Sequence, residues 1–547
     1  MNPSTTVGRY PLSTRFTANV RLAYVGYPEK ESLYSIYTAL NRVVLARSCA
    51  GSATWDTLKA AEKLATCMVD IFEQVRRKFS VDEQRHYLFT PRDLTQWVRG
   101  LLRYELAEAS QPLLDTWAFE GARMLRDRLV DSRATSRFDA IVAAALRQHF
   151  DFAVEESRKT IFSSLLGGLS DRAGAMPDRA LTLKKAPTAD FEKIVQQGLK
   201  QYEREMKELG LVLFPEALNA VARMDRVLSQ PGGNLLLVGA SGVGRRSALS
   251  LVCHMHGLEV FTPMTGRDYS LKSFKAELKA VLPKVGVQGT AGVLLLEDHQ
   301  LRDEALIECV NSLLSSGEVP GLFEPQELEP MLAPLKEEMS KSGYKHRTLY
   351  DLFVHRVQQF LHVALLMDPT NKAFLMRCES NPALYTRCSM LWMGSWSQPS
   401  MEALASTAVG SIEEEMLLSV QKPLVLKQMV QLHQRLEMSA TQGHHADATP
   451  RMYVALTRVW RKIYVAQRKK ISDRVEHLSG GLAKLAEAEK EVARMSKTAN
   501  EQRALLTQKQ QEADQAMEMI QKSMEGTSRS GARWSTCSSS SARRRSR

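Results

Sequence analysis

A glycine-rich turn near the middle of the chain has the spacing of a phosphate-binding loop. The stretch GASGVGRRS (239–247) follows the apolar run 235–238 and precedes a segment with helical periodicity. In such a loop, glycines let successive backbone N–H groups point at a phosphate, at the positive end of the following helix. A glycine turn that only packs a helix against a strand is the alternative interpretation. The residues predicted to bind phosphate are Gly239, Ser241, Gly242, Val243, Gly244, Arg245, Arg246 and Ser247.

Two arginines depart from the P-loop pattern G-x-x-x-x-G-K-[ST]. Arg245 stands where the pattern has a lysine, so it keeps the positive charge but presents a planar fork. Arg246 stands where the pattern has the hydroxyl that holds Mg²⁺, and Ser247 lies one residue out of register. The sequence therefore predicts a loop that holds phosphate but presents Mg²⁺ poorly.

Two carboxylates, Glu297 and Asp298, end the apolar run 292–296. A P-loop ATPase places at such a strand end the acid that holds Mg²⁺ and the acid that activates the attacking water. The usual Asp-Glu order is inverted here. Glu297 can still reach a metal-bound water, whereas the shorter Asp298 reaches the attacking water less well. We predict catalytic roles for both and a water-mediated Mg²⁺ contact for Glu297; a solvated acidic pair is the alternative.

Apolar runs alternate with helical patterns around these residues. NLLLVG, AGVLLLEDHQ (291–300) and LHVALLMDPT (361–370) each end in small or polar residues. Unbroken apolar strands separated by helices indicate a parallel sheet covered on both faces. Ligands of such sheets bind beyond the carboxyl ends of the strands. The sequence thus predicts an α/β module with its site at this edge.

A pair of arginine positions occurs twice along the chain. Arg15, in STRF, is followed by Arg92 in FTPRDLTQW, and Arg387, in YTRC, is followed by Arg451 in ATPRMYVAL. The separations are 77 and 64 residues, and each Thr-Pro-Arg opens a helical pattern. Only the second copy is preceded by the glycine-rich loop. We interpret this as one module type, present first as a mainly helical rear part and then in full; surface ion pairs are the alternative for each arginine.

The C-terminal part has the periodicity of a coiled coil. From Ile471 to Met524, alternating steps of four and three residues meet apolar side chains at 12 of 16 positions. A single long solvated helix is the alternative. The stretch 526–547 is rich in Ser and Arg and is predicted to be disordered. It carries six Arg and no acidic residue, which is half of the net charge of +12. A basic interaction arm and a truncated or frame-shifted end explain it equally well.

The composition argues against several other classes of protein. Without the C-terminal stretch the charge is ordinary, so nucleic-acid binding is a weak hypothesis. The seven cysteines form no C-x-x-C pair, which is typical of reduced thiols inside the cell, and they predict no metal cluster. No run is long and apolar enough to predict a membrane span.

Several long motifs resemble the AAA+ ring of dynein heavy chains, most of all the class that serves intraflagellar transport. Residues 211–247, VNSLLSSGEVPGLFEPQEL (310–328) and NPALYTRCSMLWMGSWS (381–397) resemble the fourth AAA+ module. Residues 9–105 resemble the rear of the third module, and EHLSGGLAKL (476–485) the start of the first stalk helix. The resemblance implies a fragment of a minus-end-directed microtubule motor.

The resemblance also implies roles for single residues. Arg387 and Arg15 match arginine fingers, which serve the nucleotide of a neighbouring module. Arg451 and Arg92 match lid arginines. Asp368 stands where the family usually has an Asn that senses the γ-phosphate, and as Asp it would repel that phosphate. With no hydroxyl for Mg²⁺ and an inverted acid pair, these residues predict that the module binds ATP or ADP and hydrolyses it weakly or not at all.

The resemblance further implies partners and boundaries. The partners would be the other ring modules, microtubules reached through the stalk, and dynein intermediate and light chains, in the cytoplasm and the cilium. A nucleotide-free scaffold that acts through its coiled coil is the alternative function. The predicted segments are a third-module-like rear part and lid (1–165), a linker (166–205), the P-loop module with lid (206–462), a coiled-coil stalk helix (463–524) and a disordered tail (525–547).

Overall fold

The computed structural model describes residues 12–541 apart from a set of short gaps. These gaps are 85, 105, 107–109, 153–159, 168–179, 265, 267–268, 302, 342–347, 372, 395, 411, 413–420 and 442–447. No helix within this described part is long and apolar enough to cross a bilayer.

Helices dominate the described chain. They are α1 (Thr14–Thr17), α2 (Lys30–Ser48), α3 (Leu58–Lys78), α4 (Pro91–Gly100), α5 (Ser110–Gly121), α6 (Ser132–Phe150), α7 (Thr188–Glu205), α8 (Pro215–Leu228), α9 (Arg245–His256), α10 (Leu271–Gly286), α11 (Glu304–Ser316), α12 (Pro325–Leu332), α13 (Leu335–Lys341), α14 (Leu349–Phe360), α15 (Ala373–Ser380), α16 (Ala383–Thr386), α17 (Gln398–Gly410), α18 (Lys422–Thr441) and α19 (Pro450–Ser541). Short 3-10 helices span Leu101–Arg103 and Ser164–Gly167, and a π-helical turn spans Ala122–Arg126.

The strands form two sheets. They are β1 (Thr160–Ser163), β2 (Lys184–Pro187), β3 (Asn234–Val238), β4 (Glu259–Phe261), β5 (Gly292–Glu297), β6 (Leu361–Met367) and β7 (Cys388–Trp392). β1 and β2 pair antiparallel. The other five strands are all parallel, in the order β4-β5-β6-β3-β7. Strand β6, which is followed by Asp368, lies between β3 and β5. The glycine-rich loop after β3 and the acids at the end of β5 are therefore one strand apart at the carboxyl edge of the sheet.

Helices cover both faces of the parallel sheet. Leu236 and Val238 of β3 belong to a core shared with α10, α11 and α14. Leu235 and Leu237 point the other way and belong to a core shared with α7, α8 and α9. This alternation is the two-residue period of a strand. The predicted α/β fold class is confirmed, with a helical part before the sheet and a long helix after it.

The described residues from 12 to 150 contain helices and no strand. Trp97 and Trp117 are fully buried in their core, where the Trp97 ring N–H donates to the Trp117 carbonyl at 2.8 Å. Helix α4 starts as the sequence predicts: Pro91 is its first residue, and Thr90 and Asp93 form a reciprocal cap. The second Thr-Pro-Arg also opens a helix, since α19 begins at Pro450.

A buried charged cluster joins the helical part to the sheet module. Glu120 on α5 pairs with Arg226 on α8, and the Tyr104 hydroxyl donates to Glu120 at 2.6 Å. Arg103 donates to the Arg226 carbonyl at 2.8 Å and to Ser229 Oγ at 2.7 Å. The chain accordingly divides only after Arg458, into the units Met1–Arg458 and Val459–Arg547.

The segments predicted as a linker and as a disordered tail contain regular structure. The linker 166–205 contains β2 and the helix α7, which buries Phe191 and Val195 in the sheet core because its apolar side chains recur at helical spacing. The tail 525–547 is helical as far as Ser541. The stretch of α19 after 525 contains no proline, and hydroxyls such as that of Thr527 bond to carbonyls one turn back. Residues 542–547 of the predicted tail, and residues 168–179 of the linker, lie outside the described residues.

Candidate functional site

The glycine-rich loop connects β3 to α9 and requires its glycines. Gly242 and Gly244 have φ of +92° and +93°, a region that side chains with a Cβ avoid. A Cβ on Gly239 would lie 2.3 Å from the Met393 carbonyl oxygen. The predicted strand, glycine turn and helix are therefore present in this order, which is the geometry of a P-loop.

The start of α19 packs directly on this loop. A Cβ on Gly242 would lie 2.2 Å from the Cβ of Arg451. The structure thus brings the predicted lid residue Arg451 to the predicted phosphate-binding loop, although the two are far apart in the sequence.

Arg245 is held at the end of β6. Its Nη1 donates to the Met367 carbonyl, and its side chain is partly buried. Burial lowers the pKa of Arg245 below its ordinary value, while Asp368, Glu297 and Asp298 act in the opposite direction. All three predicted acids therefore lie close enough to interact electrostatically with the loop arginine.

Arg246 pairs with the first strand-end acid. Its Nη1 lies 2.9 Å from Glu297 Oε1, with the Arg246 side chain 62% exposed and the Glu297 side chain 22% exposed. His299 Nδ1 lies 3.5 Å from the other oxygen of Glu297, Oε2. Both carboxylate oxygens of Glu297 thus have a basic neighbour.

Asp298, the second strand-end acid, is turned toward α15 and the turn before it. Its Oδ1 accepts a hydrogen bond from Arg377, and its Oδ2 accepts one from Asn371 at 3.0 Å. These bonds occupy the carboxylate that the sequence assigned to water activation.

Asp368 directs its carboxylate at the loop itself. Its Oδ2 accepts a hydrogen bond from the Ser241 N–H at 3.2 Å, and its Oδ1 accepts from the Thr370 N–H at 3.0 Å. The carboxylate therefore uses a loop amide that a phosphate oxygen would otherwise engage.

This donor set does not fit a tightly held Mg²⁺. Magnesium takes oxygen ligands in near-octahedral geometry. The place of the hydroxyl ligand is taken by Arg246, and Glu297 faces Arg246 and His299. Among the residues that the structure describes, no three His, Cys, Asp or Glu side chains cluster as a metal site. The residues present therefore do not fit the water-mediated Mg²⁺ contact predicted for Glu297.

A second group of predicted residues lines a different cavity. Arg92 at the start of α4 and Arg387 just before β7 both border a cavity of 1520 Å³ between the helical part and the sheet module. Arg128 and Arg99 also line it, so its wall is strongly basic. The structure thus brings together a lid arginine of the first copy and a finger arginine of the second, and their roles remain predictions. Arg15 lies exposed on α1.

The sequence did not indicate the partners of the acids. Arg377, Asn371 and His299 reach Asp298 and Glu297 through tertiary contacts. The sequence did contain one indication of Arg377. Helix α15 begins shortly after β6 ends, so a basic residue on this helix lies near the carboxyl edge of the sheet.

Comparisons with known proteins agree with this geometry. Residues 209–463 match the family described as P-loop containing dynein motor region D4. Residues 40–135 match the dynein heavy chain ATPase lid domain. The predicted domain boundaries nevertheless stay predictions.

Full-length relatives cover nearly all of this chain. Cytoplasmic dynein 2 heavy chain 1 of Tripneustes gratilla is 40% identical over 523 residues, which are 92% of this chain and 12% of the relative. The proteins of the same name from Homo sapiens and Chlamydomonas reinhardtii are each 39% identical, over 95% and 96% of this chain and 12% of the relatives. The chain thus spans about an eighth of these relatives. The two dynein domains, which together cover more than half of the chain, and these identities show that it belongs to the dynein heavy chain family.

Proposed function

We propose that the P-loop module of this chain is a regulatory nucleotide site of a dynein heavy chain, which binds ATP or ADP and hydrolyses it weakly or not at all. The observation that carries the proposal is the pairing of both strand-end acids: Glu297 with Arg246, and Asp298 with Arg377. An acid that must orient a cation or activate water is less available when a guanidinium of the same protein neutralises it.

Binding is supported by features that hydrolysis does not need. The positive φ values of Gly242 and Gly244 give the backbone the curvature of a phosphate-binding loop, and Arg245 and Arg246 place two positive charges at the start of α9. Arg451 packs on the loop from the lid side. Phosphate recognition is therefore retained at a site whose catalytic acids are occupied.

The role in the whole protein follows from the relatives, which are named as cytoplasmic dynein 2 heavy chains. We propose that the chain works within a minus-end-directed microtubule motor of retrograde intraflagellar transport, in the cytoplasm and the cilium. Its partners would be the other ring modules and the intermediate and light chains. Leu478, Leu482 and Leu485 of α19 are each about two-thirds exposed, which supports a coiled-coil stalk that needs a second helix.

Calorimetric titration of the chain with ATP and with ADP tests the site. We expect binding, and we expect Arg245→Ala to weaken it by about tenfold, because a charge-assisted contact with phosphate is lost. Arg133→Ala is the matched control, since Arg133 is an exposed arginine on α6. The absence of binding at millimolar nucleotide would refute the proposal.

A nucleotide-free scaffold is the second candidate. It is favoured by the contacts that close the loop on its own protein, from Arg245 to Met367 and from Ser241 to Asp368. Under this hypothesis neither the unsubstituted chain nor Arg245→Ala binds nucleotide, and the substitution changes only the stability of the chain.

A further inference from the structure

We propose that nucleotide binding at this P-loop requires no divalent cation, because Arg246 supplies the positive charge that Mg²⁺ supplies in other P-loop proteins. The inference rests on the proposed function, since it concerns how the same site neutralises its ligand. Arg246 is the side chain that would take the place of the metal.

Arg246 stands at the metal-binding position of the P-loop pattern. It is the second residue of α9, directly after the loop, and it replaces the residue whose hydroxyl holds the metal in the P-loop pattern. Its guanidinium reaches across to Glu297, the last residue of β5, at 2.9 Å. One cation of the protein therefore bridges the loop and the strand-end acid, which is the bridge that the metal makes elsewhere.

The Arg246 guanidinium can contact two anions at once. It has five N–H donors in a planar fork, and the contact with Glu297 uses Nη1. The side chain is 62% exposed, so a phosphate can approach it from solvent. Arg245, in contrast, is partly buried and bonded to the Met367 carbonyl, so Arg246 is the more accessible of the two charges.

The neighbours of Glu297 and Asp298 disfavour the binding of a competing cation. Glu297 has Arg246 at one oxygen and His299 at the other. Asp298 is engaged by Arg377 and Asn371. A divalent ion bound by Glu297 would have to displace a guanidinium that is tethered beside it, and it would meet repulsion from that charge. The positive charge that neutralises a bound phosphate is thus a side chain of the protein, Arg246, and not a bound ion.

The test is a calorimetric titration of the 547-residue chain with ADP, once in excess MgCl₂ and once in excess EDTA. We expect dissociation constants that agree within about twofold. ADP binding that is weaker in EDTA than in MgCl₂ by about tenfold or more would overturn the inference and leave the proposed function intact. The absence of binding in both conditions would overturn both.

Arg246→Ser sharpens the test, because it removes the fork and restores the hydroxyl of the P-loop pattern. We expect it to weaken ADP binding in EDTA by about tenfold or more and to make binding recover when MgCl₂ is added. Arg246→Lys keeps the charge and should bind ADP equally in both conditions. Arg133→Ser changes the net charge equally on α6 and should leave both isotherms unchanged. Equal binding by Arg246→Ser and the unsubstituted chain in EDTA would contradict the role of Arg246.

Discussion

Every acidic side chain predicted for the site meets a partner from its own protein. Glu297 contacts Arg246, Asp298 contacts Arg377, and the carboxylate of Asp368 accepts the Ser241 amide. In a P-loop hydrolase the two strand-end acids act on a cation and a water. Here the three acids are engaged in ion pairs and a backbone contact, which is the basis of the proposal that the module holds phosphate but cleaves it weakly or not at all.

Asp368→Asn tests this separation at a single residue. The amide keeps an oxygen that can accept from Ser241 but removes a negative charge that faces the loop. We therefore expect ATP to bind about three- to tenfold more tightly, because a repulsion between like charges is relieved. Titration of both chains with ATP measures the change. Asp139→Asn is a control, since Asp139 pairs with Arg126 on the exposed surface of α6. Unchanged or weaker binding by Asp368→Asn would show that its charge does not oppose phosphate.

The residues that carry the loop could be predicted from the sequence, whereas their partners could not. Glycine spacing and the acids at 297 and 298 are local patterns that a strand, a turn and a helix impose directly. Arg377 and His299 are single residues in ordinary contexts. Only the folded sheet edge brings Arg377 to Asp298 and His299 to Glu297.

Among the elements, α5 and α8 carry the junction between the helical part and the sheet module. Glu120 is fully buried and pairs with the buried Arg226. Burial alone would raise the pKa of Glu120, but the charge and hydrogen bonds of Arg226 and the hydroxyl of Tyr104 outweigh it, and the pKa is lowered. The carboxylate is therefore ionised inside the protein, and each partner depends on the other.

Glu120→Ala should strongly destabilise the chain. It leaves the Arg226 charge buried without its partner, which typically costs about 3–5 kcal/mol of unfolding free energy. Urea denaturation followed by circular dichroism measures this cost. Glu83→Ala is the matched control, because Glu83 pairs with Arg137 where both side chains are exposed, and it should cost about 1 kcal/mol or less. Equal costs for the two variants would contradict the role of the buried pair.

Two elements show why the predicted linker and tail contain more regular structure than composition suggested. Composition suggested a linker where α7 forms, yet Phe191 and Val195 are spaced to bury one face of a helix. The Ser- and Arg-rich end also looked disordered, but it continues the helix α19 as far as Ser541, and no proline follows Pro450 to interrupt that helix. For α7, the spacing of Phe191 and Val195 was thus more informative than the composition of the segment.

At the scale of the whole molecule, the described part of the unit Met1–Arg458 places the predicted site arginines in more than one region. The P-loop lies under Arg451, and the basic cavity is lined by Arg92 and Arg387 on elements from the two repeats. Three of the four repeated arginines therefore lie at these two places, whereas Arg15 lies exposed on α1.

A single-turnover assay tests the central claim of binding without rapid cleavage. An excess of the chain is mixed with labelled ATP in MgCl₂, samples are quenched in acid over time, and ATP and ADP are separated and counted. We predict that the ATP is bound and is cleaved more slowly than about 1 s⁻¹, the low end of ordinary enzymes. Conversion of the bound ATP to ADP at about 1 s⁻¹ or faster would contradict the claim.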